Sequence, residues 1–119
     1  MNEQKYRELL WKNASKELEE YRIEKLKESK ENLFEDAYSI AVIKDFTIMC
    51  DPECKKLSLD EVKVLLKEDY PVHTLYNYYM DTDSGSISDL YEAIWYQLSN
   101  DVKAFKEEQK TKKQDKNAR

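Results

Sequence analysis

One glycine and two prolines are spread over 119 residues. Hairpins and tight turns draw on glycine for positive φ and on proline for a fixed φ, so a sheet protein of this length needs several of each. Helices joined by short polar links need few, and the shortage points to an all-α chain. Histidine is as scarce: His73 stands alone, with no Ser or Cys beside it in sequence. No glycine-rich phosphate loop is present, and paired carboxylates such as Glu107-Glu108 fall on a charged helix face. The residue sets that carry catalysis are therefore not assembled; the expectation is a protein that is not an enzyme and uses no cofactor, with His73 at the exposed edge of a helix. The two cysteines, Cys50 and Cys54, sit in CDPEC. Their spacing is not that of a CxxC pair, and zinc would want two further Cys or His ligands, so free thiols in a reducing compartment are expected. No apolar run approaches the roughly 18 residues of a membrane span. The first residues, MNEQKYRELLWKNASKELEEY, are charged and helix-patterned, without the apolar stretch of a signal peptide, so a cytoplasmic protein with no membrane contact is expected.

What is present is helical periodicity. Tyr6, Leu9, Leu10, Ala14, Leu18 and Tyr21 recur every three to four residues and predict an amphipathic helix over Glu3 to about Glu28. Lys16, Glu17, Glu19, Glu20 and Lys25 fall to its expected solvated face. ENLFEDAYSIAVIKDFTIM predicts a second helix, Glu31 to Met49, apolar around most of its circumference and therefore expected in the middle of a bundle. CDPECKK breaks the chain at Pro52. Ser58 and Glu61 form a capping-box signature for a third, short helix ending near Glu68. Pro71 suits the first turn of a fourth, PVHTLYNYYM, where its missing N–H costs nothing. Ile87, Leu90, Tyr91, Ile94, Trp95, Leu98, Val102 and Phe105 trace the inward stripe of a fifth. The expectation is one domain, residues 1–106, folded as a compact all-α bundle of about five helices. A basic tail over 107–119 has no core-forming side chain and is expected to fray or be disordered.

Charge of one sign is missing from a long stretch. Between Glu68 and Val102 there is no Lys or Arg, while seven acids and seven of the fourteen aromatics fall there. Within it, DTDSGSISDLYE (81–92) has the look of a calcium loop, with Asp81 and Asp83 two apart and Glu92 at position twelve. With Asp81 first, however, Gly85 stands at position 5 where the loop needs it at 6; moving Gly85 to 6 displaces Asp81, Asp83 and Glu92 from ligand positions. A turn explains the segment better: Gly85 supplies positive φ, and Ser86 or Ser88 caps the helix that follows. No metal is expected. Tyr76, Tyr79, Tyr91 and Trp95 lie on inward stripes, whereas Tyr70, Tyr78 and Tyr96 do not. Exposed tyrosines among carboxylates suit a basic protein surface, with aromatic area for affinity and acids for steering. The candidate partner-binding set is Glu68, Asp69, Tyr70, Tyr78, Asp81, Asp83, Asp89, Glu92 and Tyr96. Direct nucleic-acid binding is disfavoured, because the one positive cluster is a tail interrupted by acids.

The order of these motifs has a parallel. EDAYSIAVIKDF, a short loop, then LSLDEVKVLLKEDYPVHTLYNYY resembles a family of small all-helical proteins of unknown function, encoded by phages and integrative elements of anaerobic Gram-positive bacteria. The resemblance covers about Tyr6 to Val102. The chain departs from the family pattern in lacking Glu after Ala37-Tyr38 and in carrying CDPECKK where the family has a shorter acidic connection. It implies no catalytic or metal residues. What it implies is a genomic setting that favours interference with, or regulation of, host proteins, and the most concrete expectation is inhibition of a CRISPR-type defence nuclease by a face that competes with nucleic acid. The alternative is a small structural or regulatory helical domain that self-associates as a homodimer or binds a host protein, with no anti-defence role.

Overall fold

The computed structural model describes residues 2–82 and 90–117. Six helices and no strand occur among the described residues: α1 Glu3–Leu26, α2 Lys30–Glu35, α3 Ala37–Met49, α4 Leu59–Leu65, α5 Pro71–Asp81 and α6 Leu90–Asn117. The all-α expectation holds. No helix among the described residues is long and apolar enough to cross a membrane.

Local chemistry starts most of these helices. The Asn2 side chain accepts from Lys5 N–H at 2.9 Å and caps α1, and Ser29 does the same for α2 through Asn32 N–H at 3.2 Å. At α4 the predicted capping box is closed in both directions: Glu61 N–H donates to Ser58 Oγ at 3.2 Å, and Ser58 N–H to Glu61 Oε1 at 2.8 Å. Pro71 opens α5 as expected. In the α3–α4 connection, Lys55 sits at φ 55°, a left-handed conformation that a residue with a Cβ adopts at a cost. Arg7 Nη1 donates to the Leu57 carbonyl at 2.8 Å and ties that connection back to α1.

α1 packs on α3, α4 and α5, and α5 in turn on α3 and α6, with α4 closing against α6. Their shared core is built from Leu10, Ile43, Phe46, Leu65, Leu75, Ile94 and Leu98, all fully buried. Burial of each such side chain stabilises the fold by about 1.5–3 kcal/mol. Beyond the last core contact, Phe105, the backbone of α6 continues as helix to Asn117. Its first turns there are tethered by Lys67 Nζ to Glu108 at 3.1 Å and Lys106 Nζ to Asp60 at 3.4 Å.

Four expectations are corrected. The predicted helix 31–49 is two, because Asp36 takes φ −91°, ψ 4° and breaks the helical run between α2 and α3. Lys25 Nζ on α1 holds the Asp36 carboxylate at 2.8 Å, so the bend is anchored from outside the helix. α3 is not central either: Val42, Ile43 and Phe46 are buried, but Ala41 and Ile48 are exposed, as are Phe34, Ala37 and Tyr38 beside them. Trp95, assigned to the inward stripe, is 53% exposed, since α6 turns Ala93, Ile94 and Leu98 to the core instead. Glu17, assigned to the solvated face of α1, is only 4% exposed. It follows Leu10 and Ala14 by seven and three residues and so shares their buried stripe.

Candidate functional site

The buried Glu17 explains how α5 begins. Tyr70, at the cap position, makes no side-chain cap bond, and Pro71 has no N–H to offer. The next two backbone donors, at Val72 and His73, would be orphaned at a helix start facing α1. The Glu17 carboxylate accepts both, from Val72 N–H at 2.9 Å and from His73 N–H at 2.7 Å, and its Oε2 also meets His73 Nδ1. A carboxylate from another helix thus replaces the missing local cap, in the favourable sense of the helix dipole. The His73 ring stands edge-on to Tyr21, 5.4 Å between centroids. This cluster joins α1 to α5.

The described members of the candidate partner-binding set fall at the two ends of the seam between α5 and α6, with Tyr78 between them. Thr82 Oγ1 donates to the Ala93 carbonyl at 2.9 Å, and Gln97 Nε2 to the Tyr78 carbonyl at 3.4 Å, so the end of α5 lies against the first turns of α6. Asp81 on α5 and Glu92 and Tyr96 on α6 are exposed at this end, Tyr96 at 69%. Halfway along, the Tyr78 hydroxyl donates to Asp101. Burial, then that bond and the nearby charges of Asp101 and Glu68, push the Tyr78 phenol far above its ordinary value and keep it neutral. Tyr78 is therefore half-buried, and its polar tip is spent inside the seam; it was expected on the open surface. Glu68 and Asp101 line one shallow cleft at the far end, together with Lys67 and Glu108. There Asp69 and Tyr70 are exposed too, Tyr70 at 58%, beside Lys16 and Glu20 of α1. Asp83 and Asp89 lie outside the described residues, as does most of the calcium-like segment.

Three polar contacts tie the two helices to their other neighbours, α6 to α4 and α5 to α3. The Tyr91 hydroxyl donates to the Glu61 carboxylate at 3.0 and 3.1 Å, and burial, with the Glu61 charge adding to it, pushes its phenol up to about 12. Tyr76 hydrogen-bonds Ser39 Oγ at 2.9 Å, and the Tyr79 and Tyr38 hydroxyls bond each other. Both cysteines are free thiols; burial pushes the Cys50 thiol up to about 12, so it is inert, while Cys54 is exposed. Among the described residues no group of His, Cys, Asp or Glu side chains is arranged to hold a metal ion.

Sequence reasoning missed a second concave surface. A groove of about 500 Å³ runs along α1 beside α2 and α3, with Trp11, Leu18, Leu26, Leu33 and Ile40 in its walls and Arg22 and Lys44 at its edge. The signal that could have found it is the excess of apolar positions on the 31–49 segment, more than one buried face can use.

Fold and surface together define a small all-α bundle with an acidic, aromatic seam on one side and an apolar groove on another. No family model, curated protein or solved structure matches the chain.

Proposed function

We propose that the chain is a non-enzymatic protein-binding module that engages a basic protein surface through the α5–α6 seam. The observation that carries the reading is the exposure of Tyr96 with Asp81 and Glu92 at one end of the seam, and of Tyr70 with Glu68 and Asp69 at the other. Rigid aromatic area at a surface supplies affinity at low entropic cost, and carboxylates steer a cationic partner. In its most concrete form the partner is a host defence nuclease of CRISPR type, and the module belongs to a mobile element. Basic nucleic-acid channels recognise mostly phosphate charge, so a ridge of carboxylates on rigid helices can occupy one. The motif resemblance supports that setting.

The test is comparative affinity capture from a lysate of an anaerobic Gram-positive bacterium, using the wild-type chain and the variant Glu68→Lys/Asp81→Lys/Glu92→Lys. These three side chains are exposed, so the variant keeps its fold, as circular dichroism will verify. A partner retained by the wild type, released by salt and absent from the variant supports the proposal. Identical capture by both proteins removes it.

A further inference from the structure

We infer that the α1/α2/α3 side of the molecule is a self-complementary surface that pairs two copies of this chain, independently of the acidic seam. Three observations carry this. The first is an uncovered apolar face. Phe34, 84% exposed, and Ile48 stand out from the outer side of α2 and α3, with the exposed Ala37 and Ala41 between them. Nothing within the described chain covers that side, although a helix apolar around most of its circumference needs cover on more than one face.

The second observation is a receptor for those side chains on the same element pair. The groove is walled on one side by Leu33 and Ile40, which belong to the same two helices as Phe34 and Ile48. Knobs and groove lie side by side on one continuous surface. That is the requirement for an isologous twofold pair, in which each copy offers its knobs to the other's groove and receives the other's in return. Eight residues of α1 between Trp11 and Leu26 line the groove, a run of about 22 Å at the helical rise, long enough to receive a helix edge rather than a single side chain.

The third observation chooses the occupant. The groove lining is net basic, with Arg22, Lys25 and Lys44 against Glu19, whereas Glu31, Glu35 and Asp45 outnumber Lys30 beside the knobs. Turning one copy onto another brings acids to bases on both sides of the twofold axis. The chain's own C-terminal segment cannot fill the groove, because beyond Phe105 it has no large apolar side chain.

Sedimentation velocity of the full chain over a wide concentration range tests the proposal. A reversible monomer–dimer equilibrium is expected, with Phe34→Asp shifting it toward monomer by at least about 10-fold. Because Phe34 is almost fully exposed, the variant will keep wild-type helicity and unfolding midpoint. A charge-swap cycle then identifies the face: Lys44→Glu alone and Glu31→Lys/Glu35→Lys alone weaken the dimer, and the combination restores it. A strict monomer at every concentration overturns the proposal. So does a dimer indifferent to Phe34→Asp, or one that the combined charge swap fails to restore. An acidic helix of another protein as the occupant would give the first of these results.

Discussion

Replacing Glu17 with alanine tests the least expected feature of the fold. The change strips the acceptor from the Val72 N–H, which is buried, at a cost of about 1–3 kcal/mol. The His73 N–H is only partly buried and water can reach it, so its lost bond costs about 0.5–1.5 kcal/mol. The void left by the side chain adds up to about 1 kcal/mol. The expected total is about 3 kcal/mol, a large share of the roughly 5–15 kcal/mol that holds a domain folded. Glu17→Gln keeps one acceptor oxygen but turns an NH2 group toward the other donor, and should cost about 2 kcal/mol. Equilibrium urea unfolding reads both values from the midpoint at constant slope. Glu20→Ala, three residues on and exposed, is the control and should stay within about 0.5 kcal/mol. Hydrogen exchange will also localise the effect, with the amides of the first turn of α5 exchanging faster than those of α4. A Glu17→Ala chain as stable as Glu20→Ala would refute the account of how α5 is started and attached.

Other consequences are simpler to read. Ser58→Ala opens the capping box of α4 and should cost about 1 kcal/mol, measured by the same unfolding midpoint. Lys55→Gly relieves the left-handed strain at φ 55° and should gain up to about 1 kcal/mol, even after glycine's added unfolded-state entropy. Cys50 and Tyr91 make the protein sensitive to alkali. Each folded-state pKa lies at about 12, above the usual 9.0 of the thiol and 10.0 of the phenol, so the folded state holds both protons more tightly. Their contribution is whole below pH 9 and is lost as pH rises toward 12. Thermal midpoints will therefore fall across that window, and Cys50→Ala will flatten the lower part of the decline; a fall of unchanged slope in Cys50→Ala would count against the thiol's part.

The features legible in the sequence are those written in neighbouring residues. The Ser58–Glu61 box and Pro71 at the head of α5 depend on partners within a turn, and both appear where their spacing places them. Features that depend on a second helix were less accessible. Glu17 looks like one more surface acid of a charged helix until the donors of Val72 and His73, 55 and 56 residues away, are brought against it. A clue existed: a helix led by Tyr-Pro has no side-chain cap of its own, so some distant acceptor was owed to it. Trp95 was misplaced because α6 presents Ala93 to α5, a small residue that periodicity weighs less than a tryptophan. Likewise the apolar pattern of 31–49 records how much of the helix wants cover without saying whether the cover comes from this chain. In the candidate site, Tyr70 and Tyr96 lie exposed as their position off the stripes implied, but Tyr78 is drawn inward by Asp101, which no local spacing could reveal.

The central claim is that the α5–α6 seam is a docking face for a cationic protein surface that otherwise holds nucleic acid. The most direct measurement is a titration of the captured partner with this chain in the presence of its nucleic acid, at several salt concentrations. Mutual exclusion is expected, with affinity falling at least about 100-fold in Glu68→Lys/Asp81→Lys/Glu92→Lys and weakening steeply as salt rises. A ternary complex in which chain, partner and nucleic acid coexist, with affinity untouched by the three reversals, would contradict it.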